Sequence, residues 1–175
     1  VFAFEPEAQN FAIINRNIHL NQINEKASAY NFAISSKTAV DKLYIKQMTV
    51  GGALNNFGSN LDLNKREFKE SFRQGVISVS IDDLIDKFGF PVPNYLKIDV
   101  DGLEAEIIQG ASQILKNTSL KSILIELNTS LDCDQQVIKI IENNGFIVVS
   151  KLQPPECKDS EFKDVFNFIF ERRGA

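Results

Sequence analysis

The stretch YLKIDVDG, residues 95–102, constrains the fold more than any other part of the chain. Residues 95–100 read as an apolar strand that closes on Asp99, Val100, Asp101 and Gly102. A helix follows directly, with Ile107, Ala111 and Ile114 on one inner face. Gly110 lets that helix approach a sheet closely. A strand feeding straight into an amphipathic helix is the building unit of α/β folds, where helices cross over between parallel strands.

The unit recurs along the chain. Residues 1–4 form a short buried strand, and Pro6 suits the first turn of a helix over residues 7–20, with Phe11, Ile14 and Ile18 at helical spacing. Further strands are expected over residues 27–34, 41–48, 76–80, 122–127, 146–150 and 165–170. Ser80 and Asp83 begin a short helix that Gly89 and Pro91 stop, and residues 134–144 form another helix ending at Gly145. Residues 49–60, TVGGALNNFGSN, are a loop, and residues 61–74 carry no assignable pattern. The last two strands have only a loop between them and so pair antiparallel. The expectation is one mostly parallel sheet with helices on both faces.

At 175 residues and 43% hydrophobic, the chain fits one domain with a real core. A net charge of −4 argues against a general nucleic-acid binder or a polybasic membrane anchor. No apolar run reaches the roughly 18–20 residues of a membrane helix. With Cys133, Cys157 and His19 the only cysteines and histidine, a disulfide scaffold or a Cys/His zinc site is disfavoured. A reducing, cytoplasmic compartment is the expectation. The 14 phenylalanines read as core, because no basic stripe accompanies them for base stacking. Walker, GxSxG and HExxH motifs do not occur.

Ligands of open α/β sheets bind at the carboxyl ends of strands, so the candidates are Glu5, Ser35, Asp99, Asp101, and Glu126 with Asn128. Glu5 can accept hydrogen bonds from ribose hydroxyls, or simply begin a helix whose dipole favours it. Asp99, Asp101 and Glu104 crowd one strand end and repel one another unless something positive neutralises them. A metal, a substrate amine or a sulfonium would serve, whereas the plain alternative is helix capping. Lys97 falls on the same side as Asp99 and suits a structural ion pair with a buried carboxylate. His19 suits the end of the first helix. The Gly51-Gly52 loop suits either a ligand cover or an ordinary turn.

Two stretches together resemble the FkbM family of methyltransferases: VFAFEPEAQNFAIINRNIHLN, residues 1–21, and LKIDVDGLEAEIIQGASQIL, residues 96–115. The family pattern is AFEP and then KIDVEGxE, with Asp101 here in place of the usual Glu. Ala33-Ile34-Ser35, the Gly51-Gly52 loop and SVSIDDLI over residues 78–85 add support. The resemblance implies a class I, Rossmann-like methyltransferase fold whose strands lie in the order 3-2-1-4-5-7-6, with an inserted hairpin between strands 3 and 4. It implies S-adenosylmethionine as cofactor. Glu5 would bind the ribose, Ala33 and Ser35 would border the adenine, and Asp99 would stand beside the methionine part or the acceptor. Asp99 and Asp101 are the catalytic candidates, as general base or through a metal. The acceptor would be a hydroxyl of a sugar or secondary metabolite, held by loops over residues 49–60 and 151–164.

In that fold a glycine-rich turn after strand 1 lies roughly 20 residues before the strand-2 acid. No such segment stands before Val1. The expectation is a longer natural protein, with strand 1 and its loop lacking here, two sheet pieces with open edges, and poor cofactor binding by these residues alone. Two other readings compete: a nicotinamide-dependent oxidoreductase, which also uses an acid after its second strand, and a noncatalytic binding module on the same fold.

Overall fold

The computed structural model describes residues 1–174. Strand β1 (Phe2–Phe4) leads into helix α1 (Ala8–Leu20), which returns the chain to β2 (Ser28–Tyr30), parallel to β1. The Glu7 carboxylate caps α1 by accepting from the amides of Gln9 and Asn10. Phe11, Ile14 and Ile18 are the half-buried stripe of the helix, as their spacing requires.

A second sheet follows, built from β3 (Ala33–Ile34), β4 (Ala39–Ile45), β5 (Asn56–Phe57) and β6 (Phe72–Val79), in the order β3-β6-β4-β5. Its small core contains Ala33, Leu43, Ile45 and Val76. Helix α2 (Ile81–Asp86) starts on Ser80, whose hydroxyl accepts from the Asp83 amide. Then come β7 (Tyr95–Ile98), α3 (Glu104–Gln109), β8 (Ser122–Asn128), α4 (Asp132–Asn143), β9 (Phe146–Leu152) and β10 (Val165–Arg172). These strands form a third sheet in the order β7-β8-β10-β9, parallel at β7–β8 and antiparallel elsewhere. The main core lies against it, with Ile107, Ile125, Ile141, Phe146 and Phe170 almost fully buried.

The expected single, mostly parallel sheet is therefore corrected to an α/β fold with three sheets, a parallel pair and two mixed sheets. Helical crossovers make β1–β2 and β7–β8 parallel, while loop returns make β8–β10–β9 and β4–β6 antiparallel. Among the described residues no strand joins β1 to β7. The strand expected over residues 27–34 is two strands in different sheets, because the chain leaves β2 after Tyr30 and Ala33 pairs with Ser78. The inserted hairpin is a full four-stranded sheet, and the unassigned segment supplies the start of β6. The expected antiparallel pairing of the last two strands is present. Among the described residues no helix is long and apolar enough to cross a membrane.

Candidate active site

Glu5 follows β1, and its amide donates to the Tyr30 carbonyl at 3.1 Å, which continues the β1–β2 ladder by one bond. Pro6 then turns the chain into α1. One Glu5 oxygen, Oε1, accepts from the Glu7 amide at 2.8 Å. Burial, together with the negative charges of Glu7 and Asp101, pushes the Glu5 carboxyl above its ordinary value. The Asn31 carboxamide donates to the carbonyls of Glu5 and Pro6 and fixes this corner.

Across from it lies the end of β7. Asp99 is 51% exposed and takes the Lys97 ammonium at 2.5 Å. The expected ion pair is present, but it is open to solvent rather than buried. Asp101 is turned the other way. Its carboxylate accepts from the backbone amides of Leu54 and Asn55, and burial raises its pKa. Gly102 adopts a φ of +99°, and a Cβ there would stand 3.3 Å from the Asp62 carbonyl, so the turn needs glycine. Lys65 reaches over this turn and donates to the Gly102 carbonyl.

Glu104 is only 2% exposed, and its pKa is pushed up to about 8, chiefly by burial and then by Asp134. Asp134 accepts from the Asn128 amide at the end of β8 and is likewise raised by burial. Asn128 also donates to Asn64 of the inserted segment at 3.0 Å. Thus the three crowded carboxylates find three environments: Asp99 is half exposed, Asp101 is bonded to amides, and Glu104 is buried with its carboxyl pushed up to about 8. Among the described residues no group of three acidic, histidine or cysteine side chains is placed to hold a metal ion.

Ala33 and Ser35 are both buried by the fold. Ala33 is 3% exposed inside the second sheet, and Ser35 is 8% exposed, with its amide on the Val79 carbonyl and its own carbonyl against Gly110. Neither offers surface to a ring. An apolar groove of about 560 Å³ opens instead where β2 ends, with Tyr30, Phe32, Leu84, Phe88 and Phe90 among its walls. His19 lies in the last turn of α1, as expected. Sequence reasoning missed Asn10, Asn64, Lys65 and Asp134. Asp134 was legible only as a helix start, and Asn64 and Lys65 fall in the segment without a pattern.

The sequence model of the methyltransferase FkbM domain matches residues 1–172. The chain belongs to the methyltransferase FkbM family. The resemblance drawn from the AFEP and KIDVDG stretches is thereby confirmed. A crystal structure of methyltransferase FkbM from Methylobacillus flagellatus KT superposes with a TM-score of 0.59 at 14% identity. The match covers 97% of this chain and 36% of that one, so this chain spans about a third of the FkbM neighbour's length. Among curated proteins no match is found.

The FkbM family implies a methyl donor. The negative charges of Glu7 and Asp101 act on Glu5, and no protein donor binds Glu5 Oε2 among the described residues. A ribose diol needs such a free carboxylate oxygen.

Proposed function

We propose that this domain binds S-adenosylmethionine between the ends of β1 and β7 and transfers its methyl group to a hydroxyl of a saccharide or secondary metabolite. The observation that carries the reading is the half-buried Glu5 carboxylate, with one oxygen free, facing an acidic strand end. Strand order supports it too. The pieces β2-β1 and β7-β8-β10-β9 correspond to orders 3-2 and 4-5-7-6 of a class I methyltransferase, with the position of strand 1 falling between β1 and β7.

When bound, the cofactor supplies an electrophilic methyl on a sulfonium. Glu5 holds the ribose hydroxyls. The adenine, assigned by resemblance to Ala33 and Ser35, would instead use the apolar surface beside Tyr30 and Phe32. Asp99 would accept the proton of the acceptor hydroxyl, with the paired Lys97 orienting the Asp99 carboxylate. The enzyme's main contribution is proximity and alignment. Neither Cys133 nor Cys157 is in a disulfide, which suits a reducing cytoplasm.

Calorimetry with S-adenosylhomocysteine and with NADH, on the protein as its gene encodes it, tests the reading. Binding of the first alone, lost in Glu5→Ala, is expected. Binding of NADH instead would favour the oxidoreductase. Binding of S-adenosylhomocysteine without labelled methyl transfer to any member of a hydroxylated panel would favour a noncatalytic module. Asp99→Ala should lower turnover by on the order of 10²-fold or more with cofactor affinity retained.

A further inference from the structure

The loop between β4 and β5 is fastened at both ends, and to different parts of the molecule. At one end the Asn10 carboxamide, on the first turn of α1, pairs with it twice. Gly51 N donates to Asn10 Oδ1 at 2.8 Å, and Asn10 Nδ2 donates to the Gly52 carbonyl at 3.2 Å. At the other end the amides of Leu54 and Asn55 donate to the Asp101 carboxylate beyond β7. Asn56 Nδ2 adds a bond to the Asp101 carbonyl at 3.3 Å.

α1 belongs to the β1–β2 piece and Asp101 to the β7-containing piece, so these few residues span the crevice between Glu5 and the β7 end. Their backbone is specialised for it. Gly51 has φ +75° and Leu54 has φ +63°, and a Cβ on Gly52 would meet the Thr49 carbonyl at 2.8 Å. Ala53 and Leu54 also line a cavity of about 610 Å³ together with Lys46, Gln47 and Lys69.

We propose that residues 49–55 are the strap that closes the cofactor crevice, and that Asn10 and Asp101 are its two latches. Asp101 is then a positioning residue that acts through the strap, and the proton-accepting role falls to Asp99 alone. The inference rests on the reading of the crevice as the cofactor site. A cover must open for exchange and shut for chemistry, and hydrogen bonds at its two ends set how often it opens. Breaking either latch frees the whole segment, so the two act as one unit.

The test measures the release rate of S-adenosylhomocysteine by stopped-flow displacement from the wild type, Asn10→Ala, Asp101→Ala and the double variant. Each single variant should release on the order of tenfold faster, the loss expected for one or two hydrogen bonds. KM for the methyl donor should rise in step. The double variant should be no faster than the faster single one. Unchanged release in both single variants would overturn the latch while leaving the cofactor site in place. So would a fall in kcat confined to Asp101→Ala, the signature of a base. Failure of the wild type to bind S-adenosylhomocysteine removes the cofactor site itself, and the latch with it. Amide exchange gives a readout without ligand. The Gly51 and Leu54 amides should be protected in the free protein and released together in Asn10→Ala, and their exchange at unprotected rates in the wild type would also overturn the proposal.

Discussion

Glu104 shows how burial replaces charge neutralisation. A buried carboxyl without a bonded cation relieves its cost by keeping a proton. Its pKa is about 8 in the fold, against an ordinary value of 4.5. The native state therefore holds a proton that the unfolded chain has lost between those pH values. Its contribution to stability is full below pH 4.5 and falls by about 1.4 kcal/mol per pH unit as pH rises towards 8. Urea titrations from pH 5 to 9 should show this decline, and Glu104→Gln, which mimics the protonated acid, should flatten it. Lys65 acts on the same cluster, attracting the negative charge of Glu104, Cys133 and Asp134. Lys65→Met should push the Glu104 carboxyl higher still, visible in a carboxyl-selective NMR titration. The crowding of acids after β7 was legible in the sequence. Their separate fates were not, because Lys65 and Asp134 come from distant segments.

At the level of elements, close approach explains Gly110. It ends α3, and a Cβ there would lie 2.4 Å from the Ser35 carbonyl oxygen and 3.0 Å from the Ser36 Cα. The neighbours are backbone and cannot turn aside. Gly110→Ala should cost about 1–3 kcal/mol, read as a lower urea midpoint at unchanged slope. The sequence suggested that this helix comes close to a sheet. The contact is with the chain just after β3, in the inserted sheet, so the glycine joins two layers rather than one helix to its own strand. The helices themselves were legible from period and caps: Ser80 caps α2, and Phe11, Ile14 and Ile18 line α1. The division of residues 27–34 between two sheets was hidden, since both halves are apolar and extended and only the pairing partners differ.

For the whole molecule, the distribution of burial predicts where it yields first. The third sheet carries the dense core, with Ile123, Ile125 and Phe170 at 0% exposure, and its last strand is anchored by Arg172. That guanidinium donates to the carbonyls of Leu115, Asn117, Leu120 and Asn144 and lies over the Phe146 ring at 4.2 Å. Arg172→Met leaves those carbonyls without their donor and should cost about 2–4 kcal/mol in chemical denaturation. The β1–β2 pair rests on a cluster of Phe2, Phe4, Tyr30, Phe32 and Phe90, and Phe2 is 45% exposed. Its amides should exchange faster than those of β8 and β10 under native conditions.

By itself the sequence determined the family, the α/β class, most helices and strands, and the two acidic strand ends at Glu5 and Asp99. Each of these depends on local period, turn chemistry or a contiguous motif, and such information is carried by neighbours in the chain. Only the tertiary structure decided that the strands form three sheets, that Ala33 and Ser35 are buried, and that Asp101 bonds the amides of Leu54 and Asn55. Those outcomes depend on which distant backbone groups satisfy one another. A buried amide or carboxylate must find a partner somewhere, and the chain does not say where until it has folded.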